Sequence, residues 1–303
     1  VKVRDGIIKD DAFLPVIFEA GKEDDWTSPA TWRKAHPGLG VSVKEEYFAA
    51  ECAKAQQLPG YENTFKRLLL NIWTEQNTRW IPMEAWDKCN APLPDLTKQT
   101  CYAGLDLATT TDIAALVLAF PLGSTVHLLP FFFVPEEGIR RRSERDRVPY
   151  EVWARQGALI ATEGSVIDYE IIRSKINELA EQYRIKEIAI DRWNATHLAT
   201  QLSGDGFELI GFGQGYASMS APTKEFERRV LAQEINHAGN EVLQWMASNV
   251  SIKQDEAGNM KPDKSKSNGR IDGIVAALMA LGRIMQHDDE RGSVYDSGQI
   301  TFV

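Results

Sequence analysis

The middle of the chain contains three apolar runs of strand length. They lie at about residues 101–107, 112–120 and 125–134. The connections between them are short and are either rich in threonine or of the form PLGS, which is typical of an antiparallel meander. The pattern therefore predicts three consecutive antiparallel strands.

Helical periodicity and short apolar runs alternate further along the chain. After a basic loop at 138–147, a helix is predicted over 168–183, and the buried run KEIAID then ends at Asp191. The segment RIDGIVAALMALGRIM at 270–285 is apolar on nearly all sides, and its small residues would let a helix lie close to a sheet. We therefore predict an α/β fold whose mixed sheet combines the antiparallel meander with parallel strands and is flanked by helices.

The N-terminal part of the chain is predicted to be smaller and mainly helical. A helix is indicated after Ser28-Pro29, and a second one ends at Pro59-Gly60. The segment NAPLPDLTKQ at 90–99 contains two prolines and is the best candidate for a linker. The predicted organisation is an N-terminal region over 1–95, a main domain over 96–290 and a flexible tail over 291–303.

Composition and charge narrow the possible functions. The chain has 303 residues, of which 43% are hydrophobic and 25% charged, as in ordinary globular proteins. Its three cysteines show neither disulfide nor metal spacing, and we expect a reducing, cytosolic compartment and no membrane segment. The net charge of −9 disfavours nucleic acid as a partner for the whole surface, but bases cluster at 138–147 and 261–270.

Three acidic residues occupy apolar surroundings. Asp106 lies within the first strand, Asp191 closes a later strand and Asp272 lies in the first turn of the last buried helix. An unpaired carboxylate in such a place is costly, so each must be protonated, paired or bound to a cation. Each also has a local explanation: Asp106 could accept hydrogen bonds from the following threonines, Asp191 could pair with an arginine, and Asp272 could complement the helix dipole.

The order strand, strand, helix favours a shared role for these acids. In an RNase H-like fold, the strand that heads the meander, the strand parallel to it and a C-terminal helix bring three such positions together. Carboxylates grouped in this way can hold two divalent cations, which activate water and stabilise the leaving oxygen in phosphodiester cleavage. Oxygen ligands suit Mg²⁺ or Mn²⁺.

Several separated motifs resemble the nuclease domain of the large terminase subunit of tailed bacteriophages, which packages and cuts viral DNA. They are, in chain order, YAGLDLATTTDIAALVLAF, IAIDRWNATHLATQL, GFGQGYASMSAPTKEFER, EVLQWMASNV and KSKSNGRIDGIVAALMALGR. The resemblance implies a metal-dependent endodeoxyribonuclease that cuts concatemeric DNA in the host cytoplasm. It implies Asp106, Asp191 and Asp272 as catalytic metal ligands, with Asp112 as a lower-ranked candidate.

The resemblance also implies partners: double-stranded DNA, the portal protein and the small terminase subunit. The DNA-binding residues are expected among the bases of the two clusters, namely Lys264, Lys266, Arg270, Arg140, Arg141 and Arg142. The chain contains no G-x-x-x-x-G-K-[ST] motif, so we expect residues 1–95 to be the end of the motor (ATPase) region together with the linker, without ATP hydrolysis by this chain.

Two other classes of function are consistent with the same residues. One is a transposase- or integrase-like enzyme that transfers DNA strands on the same fold. The other is a non-catalytic docking module of the packaging machine, in which the acids are structural. Metal-dependent cleavage of plasmid DNA, joining of donor ends, or the lack of any metal binding would distinguish the three.

Overall fold

A computed structural model of the chain describes Val3 and residues 9–10, 12–21, 23–57, 59–72, 80–107, 113–146, 148–191, 196–267 and 269–292. The chain divides into two compact units, Val1–Trp80 and Ile81–Val303. The linker predicted at 90–99 therefore falls inside the second unit, where Leu93 and Leu96 pack into the hydrophobic core. The two prolines thus lie in a segment that its leucines anchor to the core.

The first unit is built around three helices. They are α1 (Pro29–Ala35), α2 (Glu45–Gln57) and α3 (Pro59–Leu69). Trp32, Phe48 and Phe65 form the centre of its core, and the rings of Phe48 and Phe65 meet edge to face. The aromatic contacts join all three helices, so this unit has a hydrophobic core of its own.

The second unit contains a seven-stranded mixed sheet and a separate two-stranded hairpin. The strands are β1 (Thr100–Asp106), β2 (Ala114–Leu122), β3 (Thr125–Pro135), β4 (Ile160–Thr162), β5 (Arg184–Asp191), β6 (Leu209–Phe212), β7 (Ile235–Asn236), β8 (Ile252–Gln254) and β9 (Met260–Pro262). The main sheet has the order β4-β3-β2-β1-β5-β6, and β7 also pairs with β3. The predicted meander is confirmed, because β2 is antiparallel to both β1 and β3, and β5 lies parallel to β1.

Helices cover both faces of the sheet. They are α4 (Met83–Asp87), α5 (Ile139–Asp146), α6 (Tyr150–Arg155), α7 (Tyr169–Gln182), α8 (Thr196–Gly204), α9 (Tyr216–Leu231), α10 (Glu241–Asn249) and α11 (Asp272–Gly292). Ile172 and Ile176 of α7 and Leu198 of α8 pack on one face with Leu105 and Ile190 of the central strands. The opposite face of the central strands is covered by α11, as the small residues of that helix predicted.

The basic loop predicted at 138–147 is largely a helix, α5. Arginine has a high intrinsic helix propensity, and Arg140 lies one turn before Glu144 with 3.5 Å between their charged groups. At the C-terminal end, α11 extends to Gly292, and the rest of the predicted tail lies outside the described residues. Among the described residues, no helix is long and apolar enough to cross a membrane.

Candidate active site

The alternation of β1 determines which of its side chains face α11. Cys101, Ala103 and Leu105 belong to the core cluster on the α7 side, so Gly104 and Asp106 point to the other side. A Cβ atom on Gly104 would lie 1.9 Å from the backbone oxygen of Ala276, which no packing allows. The glycine therefore lets α11 lie directly on β1, and the same face carries Asp106 at the end of the strand.

Asp106 and Asp272 converge on one ammonium group. The Nζ atom of Lys264 donates to Asp106 Oδ2 and to Asp272 Oδ1, at 2.8 Å in each case. Both aspartates are buried, with 2% and 5% of their surface exposed. Strand β1 supplies the first carboxylate and the first turn of α11 the second, so the packing of this helix on the sheet creates the pair.

Gln214 completes the surroundings of Asp106. Its Nε2 atom donates to Asp106 Oδ1 at 3.0 Å, and its own backbone oxygen accepts from Lys261 Nζ at 3.0 Å. Gln214 lies in the turn between β6 and α9, so this carboxylate has donors on both oxygens. The residue was not among the predicted site residues, although a polar side chain between two glycines directly after a strand was a signal that could have suggested it.

Asp191 closes β5, the parallel neighbour of β1. Leu105 and Ile190 are register partners, so Asp106 and Asp191 each stand one residue further along adjacent strands. Ile188 and Ile190 face the α7 side, which places Asp191 on the same sheet face as Asp106. The structure thus puts the second predicted acid at the same edge of the sheet, where it is half-buried.

The described residues do not, however, contain a group of three or more His, Cys, Asp or Glu side chains arranged to hold a metal ion. Convergence of all three predicted aspartates on a metal stays a prediction. Asp112, the fourth candidate, lies outside the described residues.

The charges of the buried pair are unbalanced. The pKa of Asp106 is raised to about 6, chiefly by burial and also by the neighbouring Asp272, while Lys264 acts in the opposite direction. For Lys264, burial alone would lower the pKa of the ammonium group, but the two carboxylates hold it above its usual value. Two acidic groups thus share one cation, and a buried site of this kind favours additional positive charge. Carboxylate oxygens are also the donors that Mg²⁺ and Mn²⁺ prefer, so the residues fit such an ion.

The predicted DNA-binding bases lie in two different settings. Lys264 points into the acid pair, whereas Lys266 and Arg270 follow it on the segment that leads into α11. On α5, Arg140 is exposed beside Glu144, while Arg141 and Arg142 line a cavity of about 380 Å³ together with Arg145. The guanidinium group of Arg142 donates to the backbone oxygens of Pro135 and Glu137 and is thereby fixed at the cavity wall.

The arginine-lined cavity and the acids lie toward the same edge of the sheet. Strands β1 and β3 run in the same direction because each is antiparallel to β2. Asp106 and Phe132 are both partners of Ala115, so β3 is two strand spacings, about 10 Å, from β1. Helix α5 begins just after β3 ends, which brings its arginines to the edge where Asp106 lies.

Comparison with known proteins identifies the family of the chain. The family model described as "Terminase large subunit, endonuclease domain" matches residues 7–288. The chain belongs to this family. It is 34% identical over 291 residues to the terminase large subunit of Enterobacteria phage HK97, covering 95% of this chain and 58% of the relative. It is also 28% identical to the protein YmfN of Escherichia coli strain K12, covering 96% of this chain and 67% of that protein.

A solved structure supports the same relationship. The crystal structure of the HK97 bacteriophage large terminase matches with a TM-score of 0.64 and 34% identity, over 88% of this chain and 56% of that one. The predicted RNase H-like fold of this terminase domain is thereby confirmed. The chain spans 58% of the length of the HK97 relative.

Proposed function

We propose that the second unit is a metal-dependent endodeoxyribonuclease that cuts concatemeric viral DNA during genome packaging. The observation that carries this proposal is the pair of buried carboxylates, Asp106 and Asp272, which converge on a single cation at the carboxyl end of the central strand. Membership of the terminase endonuclease family supports the reaction class. The fold and the acid pair together favour phosphodiester hydrolysis.

Asp106, Asp272 and Asp191 are the residues that we propose to hold two divalent ions, Mg²⁺ or Mn²⁺, with Asp112 as a further candidate. Such ions, when bound, make water a stronger nucleophile and stabilise the leaving oxygen of the phosphodiester. Asp106 and Asp272 would contribute carboxylate oxygens from two elements packed rigidly together through Gly104. Gln214 holds the Asp106 carboxylate in one orientation, so we assign it a positioning role.

Double-stranded DNA is the proposed substrate, and the basic groups at the same sheet edge are its proposed contacts. Arg140, Arg141 and Arg142 on α5, with Lys266 and Arg270 before α11, would bind phosphates without reading the sequence. Lys264 is close enough to the acids to contact a phosphate held there. The portal protein and the small terminase subunit are proposed partners, and the host cytoplasm the proposed location, through the family relationship.

A plasmid-nicking assay tests the nuclease proposal. With Mn²⁺ or Mg²⁺, the parent protein should nick plasmid DNA, and Asp106→Asn should lower the rate by about 10²-fold or more, as loss of a group that stabilises developing charge does. Asp205→Asn is the matched control, because Asp205 pairs with Arg173 of α7 on the opposite sheet face. This variant should nick like the parent.

The same assay separates the other functions. A folded Asp106→Asn protein that still nicks DNA would sink the assignment of Asp106. Joining of donor ends instead of simple cleavage would indicate a strand-transfer enzyme. A parent protein that neither cuts DNA nor binds Mn²⁺ would indicate a docking module.

A filter-binding titration at several salt concentrations tests the arginine-lined cavity. The double variant Arg141→Gln/Arg145→Gln should weaken DNA binding and lower the salt slope by roughly 2, since each phosphate contact contributes about 0.9. Arg184→Gln removes an exposed arginine at the start of β5, at the other end of the sheet, and serves as the control. An unchanged slope in the double variant would remove this cavity from the DNA interface.

A further inference from the structure

Lys264 occupies the place between two buried carboxylates where a metal ion would have to bind. Its Nζ atom lies 2.8 Å from an oxygen of each aspartate and forms an ion pair with both. These are the carboxylates to which the proposed function assigns metal binding, and the inference below rests on that function. A cation already fills the position that the proposed ions need.

We propose that Lys264 is a built-in competitor of the metal, which holds the site closed in the metal-free protein and leaves it when a divalent ion binds. An ammonium group and a divalent ion cannot share two carboxylates at close range, because their like charges repel. The side chain of Lys264 therefore has two positions, one on the acids and one in solvent. Metal binding selects the second position.

The exposure of the side chain permits this exchange. The Lys264 side chain is 47% exposed, whereas those of Asp106 and Asp272 are 3% and 8% exposed. The stem of the lysine thus enters the site from the solvent side, and the ammonium group can leave by side-chain rotation while the carboxylates stay in place. No part of the hydrophobic core needs to move for this step.

The backbone around Lys264 is held by contacts that do not involve the acid pair. Asp263 Oδ1 accepts from the backbone nitrogen of Ser265 at 3.0 Å and from its hydroxyl at 2.6 Å. The hydroxyl of Ser251 donates to the backbone oxygen of Lys266 at 3.0 Å, which ties the turn to the start of the β8–β9 hairpin. The turn can therefore keep its shape when the ammonium group of Lys264 leaves the two carboxylates, so the lysine remains beside the site.

Mn²⁺ titration followed by electron paramagnetic resonance tests the proposal on the full chain. If the ammonium group occupies the site at least nine-tenths of the time, its removal in Lys264→Gln should tighten Mn²⁺ binding by about tenfold or more. Lys253→Gln removes one positive charge from an exposed position on β8 and is the matched control, with an affinity close to that of the parent. Equal or weaker Mn²⁺ binding by Lys264→Gln, with binding by the parent intact, would overturn the competitor role alone.

A second measurement uses the parent protein and does not depend on the folding of any variant. Amine acetylation followed by mass spectrometry should label Lys264 slowly without metal and clearly faster with saturating Mn²⁺, while the labelling of Lys253 stays constant. Unchanged labelling of Lys264 at an Mn²⁺ concentration that saturates the protein would overturn the proposal. Failure of all three proteins to bind Mn²⁺ would overturn the metal-dependent function as well.

Discussion

Two clusters of buried charged residues lie between α11 and the sheet. They differ in the number of carboxylates relative to the number of their partners. At one cluster, the single carboxylate of Glu187 on β5 meets two partners, the guanidinium Nε of Arg283 and the ring Nε2 of His287, each at 2.6 Å. At the other, the carboxylates of Asp106 and Asp272 share the ammonium group of Lys264. The guanidinium group of Arg283 balances the charge of Glu187. The single ammonium group of Lys264 faces two carboxylates, and that site still favours another cation.

The pKa values of the two clusters differ accordingly. Burial alone would raise the pKa of Glu187, but hydrogen bonds from Arg283 and His287 hold it below its ordinary value. The pKa of Asp106 is raised to about 6, because burial and Asp272 outweigh the lysine. The Glu187 cluster is therefore expected to stabilise the metal-free fold, and the Asp106 cluster to stabilise it little until a metal ion arrives.

The largest expected effect comes from a change that breaks both clusters together. Gly104→Ala places a methyl group against the backbone oxygen of Ala276 and must push α11 away from β1. We expect a loss of about 3 kcal/mol or more in the free energy of unfolding, measured by urea denaturation. Gly204→Ala is the control, since a Cβ atom there meets open space. Equal stability of Gly104→Ala and the parent would show that the helix does not lie this close to the strand.

The next largest loss of stability should be confined to the Glu187 cluster, in which the carboxylate accepts from Arg283. Glu187→Gln leaves Arg283 without its carboxylate and should lower the free energy of unfolding at pH 7 by about 2–3 kcal/mol. Because the folded pKa of Glu187 is depressed, its stabilisation is present above the unfolded pKa and is lost as the pH falls through the folded value. The difference between parent and variant should therefore shrink below about pH 4, where the carboxyl group becomes protonated. A difference that is constant from pH 7 to pH 3 would contradict this assignment.

Asp106→Asn should sharpen the contrast, because its effect on the metal-free protein is expected to be small. The variant loses an ion pair with a half-exposed lysine but also relieves repulsion by Asp272, so the free energy of unfolding should change by less than about 1 kcal/mol. Thermal melts should show that Mn²⁺ stabilises the parent and not the variant. A large loss of stability without metal, together with no metal response in the parent, would mean that Asp106 is a structural residue like Glu187.

The smallest effect is expected at a solvent-exposed ion pair that belongs to neither of the two buried clusters. Glu144→Gln removes the partner of Arg140 on α5, where both side chains are mostly exposed. The change in the free energy of unfolding should stay within about 0.5 kcal/mol and vanish at high salt. A larger change would indicate that α5 depends on this pair more than its exposure suggests.

The hydrophobic pattern was sufficient to predict the central architecture. Apolar runs at strand spacing predicted β1, β2 and β3, and the small residues of the last apolar helix predicted its close packing on the sheet. The positions of Asp106, Asp191 and Asp272 on these elements followed from the same pattern, because alternation and register determine which face a side chain takes.

The contacts made by side chains from distant segments could not be predicted in this way. Lys264 reaches Asp106 across 158 positions of the chain and Gln214 reaches it across 108, and no local periodicity encodes such pairs. Glu187 in the middle of β5 was missed because a charged residue in a strand usually faces solvent. Its partners Arg283 and His287, spaced four apart on the helix that covers the sheet, were the available signal.

The burial of α11 also has a consequence for how the domain opens. Residues 271–281 are all buried, so their amide hydrogens should exchange with deuterium only when the whole unit unfolds. Asp272 begins this segment, and it cannot separate from Asp106 by fraying of a surface element. Asp106 and Asp272 should therefore lie in the part of the protein whose amide hydrogens exchange most slowly. Partial opening elsewhere would leave the spacing of the two carboxylates intact.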